Sequence, residues 1–129
     1  MDYDRRNHSK CLILYHIIFV TKYRHKLLNL FDIKSIFINI KNNSDFTIVE
    51  MEVDMDHIHF LIKSNPKYSI LSIVRRLKQI STIYSWKSYS NILSKYYWKE
   101  HTLWSDGYFI CTIGNISKDI IQKYIKSQG

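Results

Sequence analysis

Apolar positions change their period several times along the chain, and each change marks an element. Residues 11 to 21, CLILYHIIFVT, are apolar, β-branched or aromatic at nearly every position. That run predicts a central strand buried on both faces. The period then lengthens: Ile33, Ile36, Phe37 and Ile40 recur at helical spacing within residues 32 to 43, and the run Asn42-Asn43-Ser44-Asp45 stops that helix. Residues 46 to 54 alternate in part, with Thr47, Val49, Met51 and Val53 on one face and Ile48, Glu50, Glu52 and Asp54 on the other. Met55 and Asp56 make a tight turn, and His57 to Lys63 reads as a third strand, paired with the second in an antiparallel hairpin.

Asn65-Pro66 breaks the pattern, and Ser69 is placed to cap a long helix running to about residue 88. Ile70, Ile73, Val74, Leu77, Ile80 and Tyr84 form its apolar stripe. Residues 89 to 104 show no clear period and read as helix end plus loop. GYFICTIG, residues 107 to 114, is a fourth strand; Gly114-Asn115 is a break, and Ser117 is placed to cap a last helix over 117 to 127. The order β-α-β-β-α-β with an added helix predicts an α+β fold: a ferredoxin-like, split βαβ antiparallel sheet with an extra C-terminal helix that carries a tyrosine. No Gly/Ser-rich linker divides the chain, so one domain is expected over 1–129, with a core at 11–114 and the terminal helix at 117–128. Two helices on one face of the sheet leave the other face free for that last helix.

The strand period places His57 and His59 on one face with Leu61, while Ile58, Phe60 and Ile62 point to the other. The apolar three are a core face. The imidazoles therefore fall on the face without the two helices, where a ligand can reach them. Two neutral imidazoles make a partial site for a divalent ion, and the remaining ligands must come from elsewhere in the chain. There is no helical His-Glu-x-x-His, no Asp-rich calcium loop and no Gly-rich phosphate loop. On the last helix Ile120, Tyr124 and Gln128 share a row, and Ile121 with Ile125 forms an adjacent row able to anchor it by burial. His16, on the first strand, is either a hydrogen-bonded core histidine or a support for the site.

Charge changes the picture. Nineteen Lys and Arg against 11 Asp and Glu give a formal charge of +8, and there are 10 tyrosines and 3 tryptophans. A basic surface attracts polyanions and aromatic faces stack on unpaired bases, so nucleic acid becomes the expected partner class. Cys11 and Cys111 lie far apart and match no zinc spacing, which fits a reduced, cytoplasmic setting. The start MDYDRRNHSK has no signal-peptide apolar core, and CLILYHIIFV is too short to span a bilayer; neither secretion nor a membrane is expected.

Four blocks then stand in order: YHIIFVTKYRHKLL at 15 to 28, His57-Ile58-His59, LWSDGYFICTIG at 103 to 114, and YIKSQ at 124 to 128. Together they resemble the small single-tyrosine transposases of the HUH nuclease superfamily, named for a His-hydrophobic-His pair. The resemblance spans almost the whole chain. It implies a transposase whose His57, His59 and Gln128 bind a divalent metal, Mg2+ or Mn2+, and whose Tyr124 attacks the scissile phosphorus of single-stranded DNA. The product is a 5'-phosphotyrosine and a free 3'-hydroxyl, which is later rejoined. It also implies recognition of DNA hairpins at transposon ends. A homodimer is expected, in which the tyrosine helix can complete either its own or the partner's histidine site; Gly114-Asn115 is placed where such a helix could swing, or is a simple strand-to-helix turn. Lys22, Arg24 and Lys26 are the first candidates for phosphate contacts, with Arg75, Arg76 and Lys78 next. Three other readings exist: a domesticated HUH nuclease acting on palindromic repeats, a metal-dependent hydrolase using water, and a non-catalytic ferredoxin-like nucleic-acid-binding module. Only the tyrosine-nucleophile readings account for His-x-His together with Tyr-x-x-x-Gln.

Overall fold

The computed structural model describes residues 12–40, 46–65, 69–112 and 118–128, with side chains of the last segment described from Gln122 onward. In chain order the elements are β1 (Ile13–Val20), a short 3-10 turn (Lys22–Arg24), α1 (Ile33–Ile40), β2 (Phe46–Val53), β3 (His57–Ser64), α2 (Ile70–Leu93), β4 (Phe109–Thr112) and α3 (Lys118–Ser127). The strands form one sheet in the order β2-β3-β1-β4, every neighbouring pair antiparallel. Each helical crossover thus skips one strand, which is the split βαβ arrangement expected from the sequence.

One face of the sheet is the core. Ile17 and Phe19 from β1 and Ile58, Phe60 and Ile62 from β3 are fully buried there, against Ile33, Ile36, Phe37 and Ile40 of α1 and Ile73, Val74 and Leu77 of α2. The Phe60 ring lies edge-on to Phe37 at 4.7 Å and to Phe19 at 5.2 Å. Burying each such side chain contributes about 1.5–3 kcal/mol, so this face fixes the strand register. Asp32 starts α1: its carboxylate accepts the Ser35 backbone N–H at 3.2 Å and the Ser35 hydroxyl at 2.6 Å. Those bonds hold the Asp32 carboxyl below its ordinary range.

Four expectations need correction. β2 does not alternate strictly, because the register shifts between Ile48 and Glu50. Val49 is the extra residue and is 45% exposed, while Ile48 joins Met51 and Val53 against the core. Ser69 occupies the N-cap position of α2 without a side-chain cap bond; its carbonyl instead accepts from Ser72 and Ile73. α2 also continues past residue 88 to Leu93, and only Tyr89 leaves helical geometry (φ −132°, ψ 31°), close to where the periodicity ends. Its buried stripe drifts from the expected one. Ser81, Ser85 and Trp86 are buried and Tyr84 is exposed. The cause is Trp104, whose indole N–H donates to the Ser81 hydroxyl at 2.9 Å and whose ring lies 5.5 Å from Phe19. Small serines on α2 leave room for it.

The Asn42–Asp45 stop, Pro66, the Gly114-Asn115 break and the Ser117 cap lie outside the described residues. Among the described residues, no helix is long and apolar enough to cross a membrane.

Candidate active site

The face opposite the core is assembled by register. Across β3 and β1, His57 pairs with Val20, His59 with Ile18 and Leu61 with His16. β4 adds Phe109 opposite Ile18 and Cys111 opposite His16; β2 adds Glu52 opposite His59 and Glu50 opposite Leu61. Paired residues share a face, so His16, His57 and His59 lie together with two carboxylates on the side free of α1 and α2. Both expected histidines are therefore where the strand period put them.

Each imidazole has a partner. His57 Nδ1 lies 3.0 Å from Asp56 Oδ1, and the other Asp56 oxygen lies 3.7 Å from Arg24 Nε. A carboxylate at Nδ1 fixes the proton there and leaves the Nε2 lone pair free to ligate. His59 Nε2 sits 2.8 Å from His16 Nδ1, their rings 5.0 Å apart, so one of these two nitrogens carries the shared proton. Burial first, then the neighbouring His16, hold His59 below the ordinary imidazole range. It is thereby kept neutral, the form that binds metal. His16 thus lies on the histidine face, in contact with His59, and not among the core residues.

α3 supplies the other half. The Tyr124 ring lies 5.7 Å from Phe109, and its buried hydroxyl has no hydrogen-bond partner among the described residues. Burial raises the Tyr124 pKa above the ordinary phenol value. One turn later, Gln128 Oε1 accepts from the Ser105 hydroxyl at 3.0 Å. Ser105 in turn donates its backbone N–H to the Val20 carbonyl at 2.8 Å. Two rows therefore cross the sheet. One runs His59, Ile18, Phe109, Tyr124; the other runs His57, Val20, Ser105, Gln128. The helical i, i+4 spacing of Tyr124 and Gln128 is matched to the strand i, i+2 spacing of the histidines. Arg24 Nη1, 3.5 Å from the Lys126 carbonyl, ties the helix end to the loop after β1. Gly107 permits the close approach, since an added Cβ would lie 3.0 Å from Gln128 Oε1.

Among the described residues, no group of three or more His, Cys, Asp or Glu could hold a metal ion. An ion at the histidine pair would need a third protein ligand of other chemistry, and the Gln128 amide oxygen has it. The free His57 Nε2, a neutral imidazole at His59 and an amide oxygen are donors of the kind that a divalent ion accepts.

The basic candidates separate. Lys22, Arg24 and Lys26 lie on the loop beside His57; Lys22 donates to Glu100 at 2.8 Å, and Lys26 is exposed. Arg75 and Arg76 are exposed on α2, the helix packed on the core face, away from the histidines. Lys78 is committed elsewhere. Its ammonium donates to the carbonyls of Ser105 at 2.8 Å, Asp106 at 3.2 Å and Gly107 at 2.7 Å. It also lies 5.5 Å from the Phe19 ring and 5.6 Å from that of Tyr108, and burial lowers its pKa. Sequence reasoning gave no role to Asp56, Ser105 or Gly107. The available signals were an acid directly before the His-x-His pair and, for Ser105 and Gly107, membership of the block at 103 to 114.

The family model described as "Transposase IS200 like" matches residues 9–128. The ISDra2 transposase TnpA of Deinococcus radiodurans is 33% identical over 117 residues, covering 88% of this chain and 82% of that protein. The transposase for insertion sequence element IS200 of Salmonella typhimurium is 33% identical over 125 residues, covering 94% of this chain and 80% of that one. Among solved structures, a Deinococcus radiodurans protein described as a transposase superposes with a TM-score of 0.80 at 29% identity, covering 92% of each chain. A REP-associated tyrosine transposase bound to a REP hairpin gives a TM-score of 0.55 at 16% identity, over 86% of this chain and 61% of that one; this second likeness is one of fold.

Proposed function

Because the chain belongs to the IS200-like transposase family, we propose that it cuts and rejoins single-stranded DNA at insertion-sequence ends through a covalent tyrosine intermediate. The observation that carries this reading is the alignment of the two rows, Tyr124 with His59 and Gln128 with His57.

In this reading His57, His59 and Gln128 would hold Mg2+ or Mn2+, the mixed nitrogen and oxygen set suiting Mn2+ better. When bound, the ion polarises the scissile phosphate and stabilises negative charge on the departing 3'-oxygen. Tyr124 Oη forms a bond to phosphorus as the bond from phosphorus to the 3'-oxygen breaks. The phenol gives up its proton and the leaving oxygen gains one. The 5'-phosphotyrosine keeps the energy of the original diester, so a 3'-hydroxyl from another end can attack it and return the proton to tyrosine without ATP. A phenol is a poor nucleophile near neutral pH, and burial of Tyr124 makes it poorer until DNA arrives.

Hairpins at the ends are the proposed recognition element, as the fold neighbour binds a REP hairpin. Lys22, Arg24 and Lys26 are the proposed phosphate contacts nearest the scissile strand. The proposed unit is a cytoplasmic homodimer, because two ends must be cut and each chain offers one such tyrosine. Among the described residues, α3 meets the sheet and its loops at Phe109, Ser105 and Arg24, contacts that a partner's helix can make equally well.

Incubated with hairpin-bearing single-stranded DNA and Mg2+ or Mn2+, the protein should give a protein–DNA adduct on a denaturing gel, absent in Tyr124→Phe. Cleavage without an adduct would point to water as nucleophile, and binding without cleavage to a non-catalytic module. Mixing Tyr124→Phe chains with His57→Ala chains should restore cleavage if the helix docks on the partner. No recovery would mean that each helix serves its own sheet.

A further inference from the structure

An aromatic slot opens beside the loop that follows β1. Tyr23, Tyr96, Tyr97 and Trp98, with Lys99 and Glu100, line a cavity of about 170 Å³. Its floor is built: Tyr97 is buried and donates its hydroxyl to the Lys22 carbonyl at 2.8 Å, and the His25 ring lies 5.4 Å from both Tyr96 and Tyr97. Its walls are not explained by burial. Trp98 is 74% exposed and Tyr23 is 63% exposed. Moreover, Tyr23 (φ 59°) and Arg24 (φ 55°) are consecutive non-glycine residues in the left-handed region. That conformation is uncommon for such residues and concentrates where the surroundings enforce it for a purpose.

We propose that this slot receives an unpaired base of the DNA strand, stacked against Tyr23 and Trp98, and that it guides the strand toward the histidine face. The proposal rests on reading the protein as a single-stranded-DNA transposase. Stacking on aromatic side chains accepts any base, and a duplex cannot use the slot because its bases are already stacked and paired. The charge is complementary: Lys22, Arg24 and Lys26 on the loop and Lys99 on the slot itself can meet the flanking phosphates. Glu100, which accepts from Lys22 at 2.8 Å, also lines the slot and holds that lysine beside it. Arg24 links the slot to the site, since it approaches Asp56, the partner of His57.

Trp98 makes the test direct. The other two tryptophans, Trp86 and Trp104, are buried at 9% and 5% exposure, so a strand in the slot acts on the emission of Trp98. Titrating the full chain with a short single-stranded oligothymidylate should quench tryptophan fluorescence, and the same sequence as a duplex should not. Trp98→Phe should abolish the quenching but hold affinity within about twofold, because a stacking face remains. Trp98→Ala and Tyr23→Ala should each weaken strand binding about tenfold, at unchanged melting temperature. An abasic position at the docked nucleotide should weaken binding to the unaltered protein similarly and make Trp98→Ala harmless. Unchanged affinity in both alanine variants, or equal quenching by duplex, overturns the slot. If the Tyr124 adduct still forms in that case, the slot alone is wrong. No strand binding and no adduct by the unaltered protein would overturn the transposase reading with it.

Discussion

The two halves of the candidate site are held in different ways. His57 and His59 belong to β3, which is hydrogen-bonded to β2 on one side and β1 on the other. Their spacing and facing follow from the ladder, and moving either one means breaking sheet register. Tyr124 and Gln128 belong to α3, and the contacts that attach its described side chains are a ring contact to Phe109 and a hydroxyl bond from Ser105. Among the described residues, those contacts are made by side chains, whereas β3 is held by two backbone ladders and the core. The proposed metal ligands on β3 are therefore fixed by the sheet, while the proposed nucleophile is carried on a helix that lies outside it.

The sharpest way to break the comparison is at Tyr124. Tyr124→Phe should remove adduct formation completely while leaving melting temperature unchanged or raised, because the buried hydroxyl has no partner among the described residues. A buried unsatisfied hydroxyl costs about 1–3 kcal/mol, so its loss is a gain for the helix half. A clear fall in melting temperature would show that the hydroxyl is well bonded. In the intact protein a phenol held above its ordinary pKa should make adduct formation keep rising with pH beyond neutrality, since more phenolate forms at each step. A plateau near neutral pH would contradict that.

On the sheet half, Asp56→Asn should lower Mn2+ affinity by about 10- to 100-fold in a calorimetric titration, because the amide no longer fixes the Nδ1 proton of His57. The fold should be unaffected; an equal loss of stability would make Asp56 a structural residue only. The smallest effect is expected where the halves meet. Lys78→Met leaves the Ser105, Asp106 and Gly107 carbonyls without their donor and should cost about 1–3 kcal/mol of stability, with a several-fold loss of cleavage. Its DNA affinity should keep the same salt slope. A slope smaller by about 1 would return Lys78 to the phosphate contacts.

Periodicity reached the parts of this molecule that are dictated locally. The alternation around His57-Ile58-His59 gave the face of the imidazoles, and the Ile33/Ile36/Phe37/Ile40 spacing gave α1. It failed where a distant residue decides. The bulge at Val49 arises from pairing with β3, so the β2 sequence alone assigned Ile48 to the wrong face. The shifted stripe of α2 arises from Trp104, which arrives from a stretch without period. That stretch is irregular because side chains, not a repeating backbone, hold it. Trp86 donates to the Thr102 carbonyl at 2.9 Å, Tyr97 to that of Lys22, and Lys78 binds three consecutive carbonyls. Such anchors have no signature in the spacing of apolar residues. Within the site, Tyr124 and Gln128 could be paired with the histidines only through resemblance; the row that joins them runs through Ser105, which lies inside the resembling block at 103 to 114 but has no spacing signal of its own.

Three consecutive carbonyl oxygens aimed at one point would serve an alkali-metal ion well. Here a tethered ammonium occupies that point. The chain thus supplies its own counter-ion to the loop that seats Gln128, at fixed stoichiometry and with no dependence on buffer. Raising salt should weaken the proposed phosphate contacts, yet the loop has nothing to exchange with the solution. Ionic conditions can therefore act on those proposed contacts without altering how the loop beside Gln128 is set.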